Sequence, residues 1–339
     1  MSILQSDIGF VKKLFLCFEQ EKVSYCVLRN SGEIISGDAH DIDMAIDFEC
    51  FPLVCKIIND IAGTEWKIHY ISEKDNGNLV AIHLYKIDHD IPVLIHFDFF
   101  QSFGWNGYSL ISNGGLLKDR KKKEWLYEAD YAVQAVCMLF SRYLYHGYIK
   151  EKYRDFIQQA FENQRSEVEN LMCDFLPKDI AKCISDDVLD GDWNNIEQEH
   201  PVVTRTIIEY VGKKQKFCRE RMLLFNLKRM KKCTGLIVGI GGEDRIQECY
   251  SYVEKVQSIL SRTFSAEDIV ETLRKTGGGY RTAAYYKVSN RVNLSKGKLI
   301  FTDDLNPAIN KVIIEDISQI PPMSAATLIL DTMSRRYRR

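Results

Sequence analysis

Ten cysteines, at positions 17, 26, 50, 55, 137, 173, 183, 218, 233 and 249, include no CxxC pair and no histidines at matching spacing, which excludes a zinc site of the common finger or ribbon kind. An apolar run of the roughly 20 residues that a bilayer-crossing helix needs is also lacking; VLIHFDFF and GLIVGI are of strand length. The residues after Met1, SILQSDIGFVKKLF, lack the signal-peptide order of charged start, apolar run and small-residue cleavage site. There is no basic excess either: 45 Lys and Arg stand against 47 Asp and Glu, a net charge of -2. That balance argues against a dedicated, sequence-specific nucleic-acid binder, though it leaves room for a local basic face. No internal repeat or low-complexity tract interrupts the chain. The expectation is a cytoplasmic protein with reduced, mostly buried thiols.

What remains is ordinary globular composition, 45% hydrophobic and 27% charged, in a chain of 339 residues with room for two or three cores. Ile8, Val11, Leu14, Phe15 and Phe18 fall at helical spacing behind Asp7, a possible cap, and predict a helix to about Glu21. SYCVLRN reads as a strand, SGEIISGDAH as a turn-rich link, and DIDMAID as an alternating strand with one face carrying acids. A helix over 51–62 follows, then three strand candidates, WKIHYIS, AIHLYKI and PVLIHFDFF, separated by DNGN and DHDIP turns. Residues 1–123 thus predict an α+β unit with a mixed sheet, and 124–232 a helical middle region. Residues 233–339 predict a small α/β domain built on GLIVGIGGED, an amphipathic helix to about Phe264, and strands at KGKLIFTDD and SAATLILDT.

Side chains at i and i+2 of a strand share a face, so Asp41 and Asp43 of DID project side by side, close enough to share divalent cations. Mg²⁺ and Mn²⁺ are hard ions that take carboxylate oxygens. Asp98, an isolated acid in the apolar strand LIHFDFF with His96 on the same face, is the candidate third ligand. An unpaired buried carboxylate costs several kcal/mol or is forced to protonate, and a metal is the simplest reason for an acid at that position. The plainer reading makes DID the solvent face of an edge strand. Asp47 continues the alternation and reads as solvation of the strand end.

YCVLRNSGEIISGDAHDIDMAID together with VLIHFDFFQSFGWNG resembles the DNA polymerase beta-like nucleotidyltransferase superfamily, in the branch found beside bacterial surface-polysaccharide genes. The resemblance implies a nucleotidyltransferase-type mixed sheet, metal held by Asp41, Asp43 and Asp98, and an NTP and a small-molecule acceptor as partners. Where the superfamily places a Gly-Ser pair against the triphosphate, this chain has Arg29, Asn30 and Ser31, which become the candidate nucleotide contacts. Arg29 can pair with phosphate through its planar fork or form a structural ion pair with the aspartates. Trp105 and Gly107 form a ligand-side loop or, equally, close the core.

The segment from about residue 234 resembles a thymidylate-kinase-like P-loop domain in degenerate form. Strand, glycine turn and helix suit a phosphate. Yet Gly239 is followed by Ile240, Gly241, Gly242, Glu243 and Asp244, with Arg245 and Ile246 where GxxxxGK[ST] has Lys and Ser/Thr. The Asp-Arg-Tyr triplet of that family is replaced by Thr302, Asp303, Asp304 and Leu305. This domain therefore predicts a scaffold or partner-binding role over a small-molecule kinase. A catalytically inactive chain with both nucleotide modules decayed is the alternative for the whole protein. Residues 213–232, KKQKFCRERMLLFNLKRMKK, read as a basic amphipathic helix, either interdomain or lying peripherally on an anionic membrane. DRKKK at 119–123 and SRRYRR at the end read as solvated turn and tail.

Overall fold

The computed structural model describes residues 8–39, 41–89, 91–231, 236–240, 246–260, 269–272, 299–302, 312–314 and 317–335. It is a mixed α/β protein with a mixed sheet and many helices. The chain starts with helix α1 (Ile8–Gln20), strand β1 (Tyr25–Val27), helix α2 (Ser31–Ser36), strand β2 (Ile42–Ile46) and helix α3 (Phe51–Ala62). Long strands β3 (Lys67–Lys74), β4 (Leu79–Asp88) and β5 (Ile91–Phe100) follow, then the hairpin β6 (Phe103–Trp105) and β7 (Tyr108–Ile111), helix α4 (Asn113–Leu117), and the short strands β8 (Lys121–Lys123) and β9 (Leu126–Glu128). Seven of these strands form one sheet in the order β3-β4-β5-β2-β1-β9-β8, while β6 and β7 pair separately. The chain divides into two compact units, Met1–Ile61 with Glu73–Val80 and Phe97–Met222, and Ala62–Ser72 with Ala81–His96 and Leu223–Arg339.

In the first unit, β2 is buried at all five positions, antiparallel to β1 and parallel to β5. It is an interior strand covered on both faces, so the edge-strand reading of DID does not hold. Helices α5 (Tyr131–His146), α6 (Glu151–Asn163), α7 (Arg165–Met172), α8 (Lys178–Asp190), α9 (Trp193–Gln198) and α10 (His200–Lys214) complete the unit. Helix α5 starts where the Asp130 carboxylate accepts the Ala132 N–H and ends at Gly147 in the left-handed conformation. It is buried nearly all round, as the central helix of a bundle must be. One apolar core runs from Cys26, Leu28 and Ala45 of the sheet through α5 to Val211 and Cys218. The acid-bearing strands and the helical middle region therefore share a core.

SGEIISGDAH holds a helix where a turn-rich link is predicted. Gly37, at φ 83°, closes α2 with its N–H on the Glu33 and Ile34 carbonyls, and Ile34 is buried beneath. The basic segment 213–232 is broken. Helix α10 stops at Lys214, Gln215 bonds both backbone groups of Ser109, Phe217 takes φ 60°, and α11 (Cys218–Lys231) begins anew. Phe217, Leu223 and Leu224 are exposed there.

Asn106 and Gly107, at φ 52° and 81°, turn the β6–β7 hairpin. The Asp75 carboxylate accepts the Gly107 N–H at 2.5 Å and also holds the Asn78 amide. A Cβ on Gly104 would collide with these two fixed side chains. Gly104→Ala is therefore expected to lower the unfolding free energy by about 1–3 kcal/mol, read from the midpoint of urea unfolding. An unchanged midpoint would show that the Asp75 loop yields freely.

The second unit contains a parallel four-stranded sheet, β11 (Ile269–Thr272), β12 (Leu299–Thr302), β10 (Leu236–Ile240) and β13 (Val312–Ile314) in that order. Helix α12 (Ile246–Leu260) and a last helix, α13 (Pro322–Ser334), pack on it. The stretch SAATLILDT, expected as a strand, lies within α13. Its buried residues Ala325, Ala326, Ile329, Leu330 and Met333 repeat every three to four positions, and Pro322 opens the helix at a position where no N–H is needed. Tyr85 and Leu94 belong to the same core, and Asp331 accepts hydrogen bonds from Tyr85 Oη at 2.5 Å and Lys67 Nζ at 2.6 Å. The glycine turn 241–245 and residues 303–305 lie outside the described residues. No helix among the described residues is long and apolar enough to cross a membrane.

Candidate functional site

Asp43 is the second residue of β2, and in the parallel β2–β5 ladder it stands directly opposite Asp98. Residues paired in this way put their side chains on the same face of the pleat. Asp41, two residues before Asp43, precedes the strand. The three candidate acids thus come from one sheet face, two from the start of β2 and one from the second half of β5. Asp43 is 4% exposed and Asp41 38%, so the deeper carboxylate sits behind a more accessible one.

Arg29 follows β1 and reaches back across it. Its Nε donates to Asp43 Oδ2, and its Nη2 lies 3.7 Å from Asp41 Oδ2. Burial works against the Arg29 charge, but Asp43 and then Asp41 outweigh it and hold the guanidinium above its ordinary pKa. For Asp43 the balance tips the other way. Burial, opposed by Arg29 but reinforced by the charges of Asp41 and Asp98, pushes its carboxyl up from 3.8 to about 6. The site is one in which negative charge is incompletely compensated.

Asn30 adopts φ 59°, a left-handed conformation that asparagine tolerates, and makes no side-chain cap bond to α2. Ser31, 5% exposed, donates its Oγ–H to Glu128 Oε2 at 2.6 Å and accepts from Lys123 Nζ at 3.0 Å. Lys123 also lies 3.0 Å from Glu128 Oε2. Of the three candidate nucleotide contacts, the structure thus engages Arg29 with the acids and Ser31 with a buried Glu–Lys pair. Trp105 and Tyr108 lie in the core, so the core-closing reading of Trp105 holds. Asp47 caps the turn after β2, accepting the Glu49 N–H.

No family model, curated protein or solved structure matches the chain. The site therefore rests on its own geometry.

Metal fit turns on the donor set. Among the described residues no group of three or more His, Cys, Asp or Glu side chains is arranged to hold a metal ion as it stands. Magnesium in nucleotide-handling proteins does not require such a cage, since it takes one or two carboxylates and fills its remaining positions with water and phosphate oxygens. A register-matched pair of aspartates, a third two residues away, and a carboxyl whose ionisation is opposed by its acidic neighbours provide hard oxygen donors and unspent negative charge. These residues fit a divalent cation brought with a polyphosphate better than one bound alone. Glu128, Lys123 and Lys152 were not singled out by sequence pattern. Strands β8 and β9 are only three residues long, and the basic run KKK reads as a solvated turn.

Proposed function

We propose that this protein is a metal-dependent nucleotidyltransferase, moving a nucleotidyl group from an NTP to the hydroxyl of a small acceptor. The observation that carries the reading is the opposition of Asp43 and Asp98 across the β2–β5 ladder, with Asp41 beside them. Asp41, Asp43 and Asp98 would hold Mg²⁺ or Mn²⁺, which when bound neutralises the triphosphate and polarises its phosphoryl oxygens. Asp98 accepts the proton of the acceptor hydroxyl as its oxygen bonds to the α-phosphorus. The α–β phosphoanhydride bond breaks at the same centre, and pyrophosphate leaves with the electron pair. Arg29 contributes a planar guanidinium that matches phosphate as well as it matches carboxylate. The resemblance to the surface-polysaccharide branch favours a sugar or sugar phosphate as acceptor.

One observation favours a second reading. Arg29 already lies against Asp43 and near Asp41, so its guanidinium can be the resident counter-ion of a catalytically silent scaffold. Calorimetric titration of the full chain with each of the four common NTPs, with and without Mg²⁺, separates the two. The enzyme reading expects saturable, Mg²⁺-dependent binding of at least one nucleotide. Its absence for all four would overturn that reading and leave the scaffold.

A further inference from the structure

Two lysines with no part in the chemistry above flank α2 from opposite elements. Lys123, the last residue of β8, contacts Ser31 and Glu128, both at 3.0 Å. Lys152, the second residue of α6, has its Nζ 3.5 Å from Glu33 Oε1. Ser31 and Glu33 are the first and third residues of α2, the helix that begins two residues after Arg29. Tyr153 ties α6 to the same place. It is buried, its ring lies 5.0 Å from Lys152 Nζ and 5.6 Å from Lys150 Nζ, and its hydroxyl is within electrostatic reach of Arg29. Ammonium groups from β8 and α6 thus meet on the segment that carries the guanidinium of the acid site.

Their surroundings separate these lysines from ordinary surface charges. Lys123 is 44% exposed and Lys152 55%, yet Lys123 leans on a Glu128 carboxylate that is only 7% exposed. Partly exposed ion pairs of this kind contribute little stability, because solvent screens them and side-chain ordering opposes them. An ammonium held so loosely can exchange a carboxylate for a more highly charged phosphate. Glu128 would not then be stranded, since the Ser31 hydroxyl continues to donate to it at 2.6 Å. A polyphosphate approaching Asp41, Asp43 and Asp98 meets repulsion that a metal ion offsets only near the reacting phosphorus. Its outer phosphates need cations from the protein.

We propose that Lys123 and Lys152 form the seat for the outer phosphates of the nucleotide. This rests on the nucleotidyltransferase reading and adds to it a specificity for triphosphates. The lysines are positioning residues, since the bonds that form and break lie at the α-phosphorus.

The test uses the full chain with Lys123→Met, Lys152→Met, the double methionine variant and the double arginine variant. Each is titrated in Mg²⁺ with the NTP that the wild type binds most tightly and with inorganic tripolyphosphate. The double methionine variant is expected to bind both probes about tenfold or more weakly, with KM raised and kcat little changed. The double arginine variant is expected to recover most of that loss. Wild-type affinity in a folded double methionine variant would overturn the seat and leave the nucleotidyltransferase reading standing. So would a loss that arginine does not restore, which would assign the lysines a structural role. Failure of the wild type to bind any nucleotide would remove the enzyme reading itself, and the seat with it.

Discussion

Replacing Asp43 by asparagine is expected to yield a protein that melts higher than the wild type at neutral pH and turns over no nucleotide. Both effects follow from one feature, a carboxyl buried at 4% exposure whose pKa stands at about 6 despite its ion pair with Arg29. A carboxyl with a raised folded-state pKa binds an extra proton in the folded state between the unfolded value of about 4 and its own. Stability therefore falls as pH rises through about 4 to 6 and stays reduced above that window. At about 1.4 kcal/mol per pH unit the penalty is on the order of 3 kcal/mol. Asparagine keeps an oxygen for Arg29 but never carries the charge, so the variant escapes the penalty. The melting temperature should rise by on the order of 5 °C at pH 7.5 and converge with that of the wild type towards pH 4, where the wild-type carboxyl is itself protonated. Turnover should drop by about a thousandfold or more, the scale expected when a metal-holding oxygen is lost. Scanning calorimetry across pH, beside an NTP turnover assay, decides. An asparagine variant no more stable at pH 7.5 would refute the electrostatic account. One that keeps its turnover would refute the chemical role.

Such a trade, in which a group costs stability because the site needs its charge, is common where function is concentrated. It was partly legible in the residues alone. Asp41 and Asp43 lie two apart in a strand, and the period of the pleat alone puts them on one face. Asp98 was legible as an acid out of place among Leu94, Ile95, Phe97 and Phe99. Its position opposite Asp43 was not, because strand order and register depend on long-range pairing that no local pattern encodes. The same limit hid Glu128, whose hydrogen bond to Ser31 spans 97 residues and starts from a three-residue strand. Other features were local and still misread. Asn106-Gly107 is a strong hairpin signal, but beside Trp105 it was taken for a ligand loop. SAATLILDT contains β-favouring residues, but its buried positions repeat at the helical period and two prolines mark its start. The conformation of Gly37 as a helix stop and the break at 215–217 depend on tertiary bonds, to Ser109 in the second case.

Arg29→Met tests what fills the space among the acids. Removing one partner of a buried pair typically costs about 3–5 kcal/mol. Here the cost has a ceiling, since Asp43 can take up a proton once its counter-ion is gone. Loss of the guanidinium raises a carboxyl pKa that already stands at about 6. The deficit of the variant should therefore be small near pH 5 and grow as pH rises towards 8, because a group with a raised folded-state pKa loses its stabilising proton in that direction. Arg29→Met combined with Asp43→Asn should recover most of the loss, as the stranded charge is then absent. Divalent cation separates the two functional readings. If the acids are built to hold a metal, millimolar Mg²⁺ should raise the melting temperature of Arg29→Met far more than that of the wild type, because a ligand bound only by the folded state stabilises it by mass action and the competing cation has been removed. If Arg29 is the permanent occupant of a silent site, the carboxylates it leaves behind have no geometry for Mg²⁺ and the variant should melt alike with and without it. Equal Mg²⁺ responses of wild type and variant, together with full recovery in the double variant, would assign the three aspartates to structure and withdraw the metal from the site.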